Sequence, residues 1–249
     1  MDTAEPFDVN FCFPVRELEN DRIKLTPYIP SIHTHPYFAL SLPHPELYTH
    51  IPFGPFSSAS EVDDYLTGRI LSDPALVLFA VIDKTRTDEF HVDNDGAFAG
   101  VIAYLNTSVA NLSTEVGFVL IMPAFQRTHV TSNAVGLLLQ YALNLPSEGG
   151  LGLRRVQWQT NSPNVASAAV AERMGFRKEA LLKWDRVFHG GWETGKASNN
   201  RPMPRRGAAV ESGESNKEPM GRDTVMLSLC CDDWEEGGKE KVEAAMNRR

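Results

Sequence analysis

Apolar residues recur along this chain with two different periods, and the switches between them mark its elements. Stretches rich in β-branched and aromatic residues predict strands at Arg16–Tyr28, Ala75–Ile82, Phe98–Leu105, Glu115–Met122, Arg155–Thr160, Glu179–Phe188 and Asp223–Cys230. Helical spacing predicts a helix from Ser60 to about Leu71 and another from Ser132 to Leu145, where Val135, Leu138, Leu139, Ala142 and Leu145 form one face. A third helix is written at both ends, with Ser162-Pro163 as cap and first residue and Gly175 just past its close. Recurrent prolines between Ile29 and Pro55 predict helices that are short and kinked there. Residues 1–13 read as a flexible arm. Residues 189–222, rich in Gly, Asn, Ser, Pro and charge, read as a flexible insertion, and Trp234–Arg249 as a charged, frayed helix.

The order is strands, then strand–helix–strand–helix, then a closing hairpin. A strand–helix–strand passage needs a parallel pair, so the fold class is α/β, with a mixed, mostly antiparallel sheet flanked by helices. One domain spans residues 14–249.

The stretch from Glu115 to Leu145 carries chemistry. Pro123 has no N–H for a sheet partner, so pairing should stop there. Thr128 or Thr131 can cap the helix that follows. A helix starting straight after a strand aims unpaired N–H groups and the positive end of its dipole at one spot, where a phosphate or pyrophosphate is the usual occupant. Taken alone, the same residues also fit a strand followed by an ordinary core helix.

Composition narrows the partners. A hydrophobic content of 42% over 249 residues supports a sizeable core, and a net charge of −8 argues against nucleic acid. Three cysteines, two of them adjacent, make neither a disulfide framework nor a zinc pattern. The acidic, polar start is unlike a signal peptide, and no apolar run is long enough to span a membrane. These features lead us to expect a cytoplasmic protein, monomeric or homodimeric, without a membrane partner. The clustered His33, His35, His44 and His50 are interrupted by prolines and match no helical ligand pair, so no metal is expected.

Two motifs carry a resemblance. Gln126-Arg127-Thr128-His129-Val130-Thr131 resembles the Q/R-x-x-G-x-G/A pyrophosphate loop of the GNAT superfamily of N-acetyltransferases, with His129 and Thr131 departing from its small residues. Asn164-Val165-Ala166-Ser167, followed by Met174-Gly175-Phe176, is similar to the same family's N-x-x-S…GF signature. The nearest branch is the one containing the ribosomal-protein N-terminal acetyltransferases. The resemblance implies acetyl-CoA as cosubstrate and a primary amine, of a small molecule or a protein N-terminus, as acceptor. It implies a parallel strand pair splayed for CoA, with the pantetheine arm along Val119, Leu120, Ile121 and Met122, and with Asn161 and Asn164 gripping its amides or hydroxyl. It also implies Glu115 as general base, directly or through water, and Ser167 as the acid for the departing thiolate, since the helix holds no tyrosine. A solvated strand-end role for Glu115 stands beside that reading. So does a non-catalytic module that binds or senses acyl-CoA, favoured by His129 and Thr131.

Overall fold

The computed structural model describes residues 10–70, 72–90, 96–188, 195–201 and 220–248. Eight strands form one sheet: β1 (Leu18–Glu19), β2 (Ile23–Pro27), β3 (Val77–Asp83), β4 (Ala97–Ser108), β5 (Ser113–Ile121), β6 (Arg155–Asn161), β7 (Arg177–Phe188) and β8 (Met220–Cys230). Their order across the sheet is β1-β2-β3-β4-β5-β6-β8-β7. Every pairing is antiparallel except β5 with β6. Around it lie α1 (Pro30–Ser41), α2 (Ala59–Ile70), α3 (His129–Leu143), α4 (Val165–Arg173), a single turn α5 (Cys231–Asp233) and α6 (Lys239–Met246). The α/β class and the mixed sheet agree with the expectation from the chain order.

The departures have local causes. Asn20 Oδ1 accepts the N–H of Arg22 (2.9 Å) and of Ile23 (3.0 Å), and this turn splits the expected first strand into the β1–β2 hairpin. The proline-rich segment makes one continuous 12-residue helix, α1, despite Pro36 in its interior. Pro30 supplies a pre-formed first turn, and His33 Nδ1 accepts the Ile29 N–H at 2.7 Å. Ser162 does not cap α4; its N–H still pairs with Asp223 O, so the strand pairing runs on past Asn161. The helix therefore starts later, with Asn164 Oδ1 accepting from Ser167 N at 3.1 Å.

The flanking segments are more ordered than their composition suggested. At the close of the supposed arm, Phe11 stacks on Tyr104 and the Cys12 N–H bonds Pro74 O; residues 1–9 lie outside the described residues. The C-terminal helix does not fray. Trp234 and Val242 are fully buried, and the Met246 carbonyl accepts from Asn133 Nδ2 and Arg22 Nη1. Leu145, expected on the apolar face of α3, lies beyond that helix and is exposed.

Gly100 fixes how β5 meets β4. Its φ is 147°, and a Cβ there would lie 2.2 Å from Leu120 O. Gly100→Ala is therefore expected to destabilise the fold by about 2 kcal/mol or more, through strain and a displaced β5. A urea midpoint equal to that of the unaltered chain would refute it.

Candidate active site

The site begins where a parallel pairing stops. β5 and β6 are registered only at Ser113↔Arg155, Thr114↔Val156 and Glu115↔Gln157. Past Glu115 they diverge, because β5 carries an extra residue: Val101 pairs with Leu120 but Ala103 pairs with Gly117. Phe118, with φ of 48°, sits in that bulge. A bulge bends and twists its strand and leaves the extra residue out of the ladder. The backbone of β5 beyond Glu115 is thereby left without β6 as a partner. A cavity of about 1060 Å³ opens there.

The bulge also breaks the period-two alternation that a regular strand would give, in which Glu115 shares a face with Gly117, Val119 and Ile121. Residues opposite one another share a face, so Glu115 and Gly117 are followed on that face by Leu120 rather than by Val119 and Ile121. Val119, Leu120 and Ile121 all border the cavity. Met122 does not; its N–H is spent on Ala99 O at 2.9 Å.

One end of the cavity is the start of α3. Pairing breaks at Pro123 as expected, in a 3₁₀ turn over Pro123–Phe125, and Gln126 Nε2 closes the turn on Ile121 O at 2.9 Å. Thr128 is the N-cap, its Oγ1 accepting from Val130 N at 3.3 Å. The helix thus opens at His129, earlier than the periodicity alone placed it. Gln126, Arg127, Thr128, His129 and Thr131 border the cavity, whereas Val130 is fully buried in the core with its N–H already engaged. His129 and Thr131 both lie in the first helical turn, where no glycine is needed. The His129 ring turns aside to Asp83 at the end of β3, with Nε2 3.2 Å from Oδ1. The left-handed residue of this loop is Arg127, with φ of 60°. The unpaired N–H groups opening α3, with Arg127 beside them, suit an anion.

Along the other wall, α4 brings Asn164 and Ser167 to the cavity. The Asn164 carbonyl is used as the cap, which leaves its NH₂ available. Trp158 Nε1 donates to Ser167 Oγ at 3.0 Å. With its oxygen accepting from the indole, the Ser167 hydroxyl keeps its own proton to donate. Asn161 also borders the cavity, with its amide partly engaged. It is 1% exposed, its Nδ2 donates to Ala197 O at 2.8 Å, and its Oδ1 is buried without a partner among the described residues.

Glu115 is no solvated strand end. It is 3% exposed, and its Oε2 accepts from Asn106 Nδ2 (2.8 Å) and Gln159 Nε2 (2.9 Å). Gln159 Oε1 in turn accepts from Arg186 Nη2 at 3.1 Å. Burial raises the Glu115 pKa, and the Asn106 bond and the charges of Arg186 and Arg222 oppose the rise. A buried carboxyl group with a raised pKa at the edge of a cavity is a candidate general base.

The comparisons with known proteins agree with this layout. The family model described as Acetyltransferase (GNAT) domain matches residues 22–177. The chain belongs to the GNAT acetyltransferases. Among solved structures, a probable GNAT-family acetyltransferase from Chromobacterium violaceum is 25% identical with a TM-score of 0.68, over 90% of each chain. A GCN5-related N-acetyltransferase from Brucella melitensis is 23% identical with a TM-score of 0.70, over 94% of this chain and 86% of that one. Mycobacterium smegmatis RimJ in complex with CoA-disulfide is 16% identical with a TM-score of 0.61, over 93% of each chain. Among curated proteins no match is found.

The far end of this GNAT cavity holds residues that the sequence did not single out. Of the four clustered histidines His50 alone borders the cavity; Tyr48, Phe53 and Tyr104 are core. Burial, with Arg222 nearby, lowers the His50 pKa. Within the span read as a featureless insertion, Gly195–Arg201 is tied down. Lys196 Nζ donates to Tyr48 O (2.8 Å), Phe53 O (2.6 Å) and Gly54 O (2.6 Å), and the Ala197 N–H bonds Thr49 O. Burial pulls the Lys196 pKa down to about 8, while those carbonyl dipoles solvate its charged form. Residues 189–194 and 202–219 of that span lie outside the described residues. Among the described residues, Cys230, Asp232 and Asp233 hold ligand-type atoms within 4.8 Å of one another. That group lies away from the cavity, and Asp233 already pairs with Arg177, so no metal is assigned to it. The three cysteines are free, and no described helix is long and apolar enough to cross a membrane.

Proposed function

We propose that this GNAT domain moves an acetyl group from acetyl-CoA to a primary amine by direct attack. The observation that carries the reading is the gap past the three-residue β5–β6 pairing, with the opening of α3 at one side and buried Glu115 at the other. The diphosphate lies against the N–H groups that open α3, and the pantetheine arm borrows the unpaired backbone of Val119–Ile121. The Asn164 NH₂ faces that arm. The RimJ structure, which contains CoA as a disulfide, supports the choice of carrier.

The chemistry needs a neutral amine, since an ammonium has no lone pair. Glu115 accepts the proton, the nitrogen attacks the thioester carbonyl, and a free β5 N–H beside the bulge holds the oxyanion. Collapse breaks the C–S bond; Ser167 gives its proton to the leaving thiolate, and the second proton that the nitrogen sheds on becoming an amide restores the Ser167 hydroxyl. The binding-only reading loses its motive, because His129 and Thr131 occupy helical backbone that accepts a side chain. The test is thiol release from acetyl-CoA with a panel of amines, beside calorimetry with CoA alone. Turnover of at least one amine is expected; CoA binding with no amine acetylated would return the module reading.

A further inference from the structure

Among the described residues Arg222 has carboxylates near it, Glu115 and Asp185, but no hydrogen-bond partner. It is 5% exposed, it borders the cavity, and its Nε is wholly buried without a hydrogen bond. Among the described residues no hydrogen bond or ion pair reaches its guanidinium. Arginine does not shed its proton in proteins, and charged groups are almost never buried without a partner. Burial and the nearby Arg186 pull its pKa down to about 10, against the charges of Asp185 and Glu115, which hold it up.

Its setting is unusual in a second, independent way. Arg222 on β8 stands directly opposite Arg186 on β7, and like charges at such positions repel. Arg186 has partners: Nη2 bonds Gln159 and Nε lies 3.4 Å from Asp185 Oδ2. Glu115 Oε2 is occupied by Asn106 and Gln159, and no hydrogen bond joins Glu115 to Arg222. Arg222 is left facing the cavity beside the carboxylate that takes the proton.

We propose that the acceptor amine carries an anionic oxo group, a carboxylate or a phosphate, which docks on Arg222 while its nitrogen faces Glu115. This rests on the transferase reading above and names its substrate class: amino acids and amino-phosphates, not polyamines or protein N-termini lacking a nearby acid. A planar guanidinium fork fits either anion in two parallel hydrogen bonds. The anion would also relieve the repulsion between the two arginines.

The test compares matched acceptors on the full chain: glycine, β-alanine and 4-aminobutyrate; phosphoethanolamine; and ethylamine, glycinamide and spermidine. At least one anionic set is expected to exceed the others about tenfold in kcat/KM, and the better set identifies the group. Arg222→Gln should erase that preference through KM, the anionic acceptors losing about tenfold to a hundredfold more than ethylamine does. Independently of turnover, CoA-loaded protein is titrated with N-acetylglycine, N-acetyl-phosphoethanolamine and N-acetylglycinamide. The acids alone should bind, and Arg222→Gln should abolish it. Arg222→Met, which removes a buried charge without hydrogen bonds and its repulsion with Arg186, should melt above the unaltered apo chain. Equal use of neutral and cationic amines, a uniform loss on Arg222→Gln, or a lower melting temperature for Arg222→Met would overturn the proposal. If CoA binds normally under those outcomes, the transferase reading survives; if CoA does not bind, both fall.

Discussion

Glu115→Gln is expected to lower turnover about a hundredfold or more, with CoA affinity unchanged. The amide oxygen can still accept from Asn106 and Gln159, so the local network survives and the basic lone pair is what goes. The pH dependence carries the sign. Burial raises the Glu115 pKa above its ordinary 4.5, and a base works only when ionised. The rate of the unaltered enzyme should therefore fall as pH drops through that raised value, and the variant should lack this limb. Stability moves oppositely. A carboxyl group whose folded pKa is raised contributes stability that is fully present below its unfolded value and is lost as pH rises through the folded one. The uncharged variant should thus melt above the parent at pH 8 and level with it at pH 4. An acidic limb that persists unchanged in the variant would falsify the assignment and leave water as the base.

Thr131→Glu is expected to make a better helix and a worse enzyme. Thr128 is the N-cap and Thr131 the third helical residue, so the new carboxylate completes a capping box and meets the positive end of the α3 dipole. That should stabilise the fold by about 0.5–1 kcal/mol. The same carboxylate would stand where the diphosphate is to lie. At an effective dielectric near 20 the repulsion, after screening, is worth about 2 kcal/mol, or roughly thirtyfold in the CoA dissociation constant. Calorimetry and thermal melting on one sample separate the two effects. A variant that is more stable and binds CoA as before would move the diphosphate away from α3.

Features written in adjacent residues could be read in advance; features of register could not. Pro123 ending a strand, Thr128 capping and the β-branched run before them each act within a few residues, so that corner was legible. Helical spacing of Trp234, Val242 and Met246 was also there to find, but charge around them masked it. The bulge at Phe118 has no local signal, because a phenylalanine is not the residue that favours a positive φ. Ser162 and Asn164 are both good caps, and the choice fell to how far pairing with β8 runs. The opposition of Arg186 and Arg222 is a register between strands separated by a long span without periodicity. The same holds for Lys196, whose carbonyl partners come from Tyr48, Phe53 and Gly54.

The short β5–β6 pairing has a consequence for handling and for the cell. Where those strands part, the sheet has two interior edges with unsatisfied peptide groups, the kind of surface that recruits foreign strands. On the proposed placement, a carrier lying in the gap would act as a ninth strand and seal them. Starved of its carrier, the protein should therefore be the more prone to aggregate and to be clipped, so that its lifetime tracks the metabolic supply of the thioester.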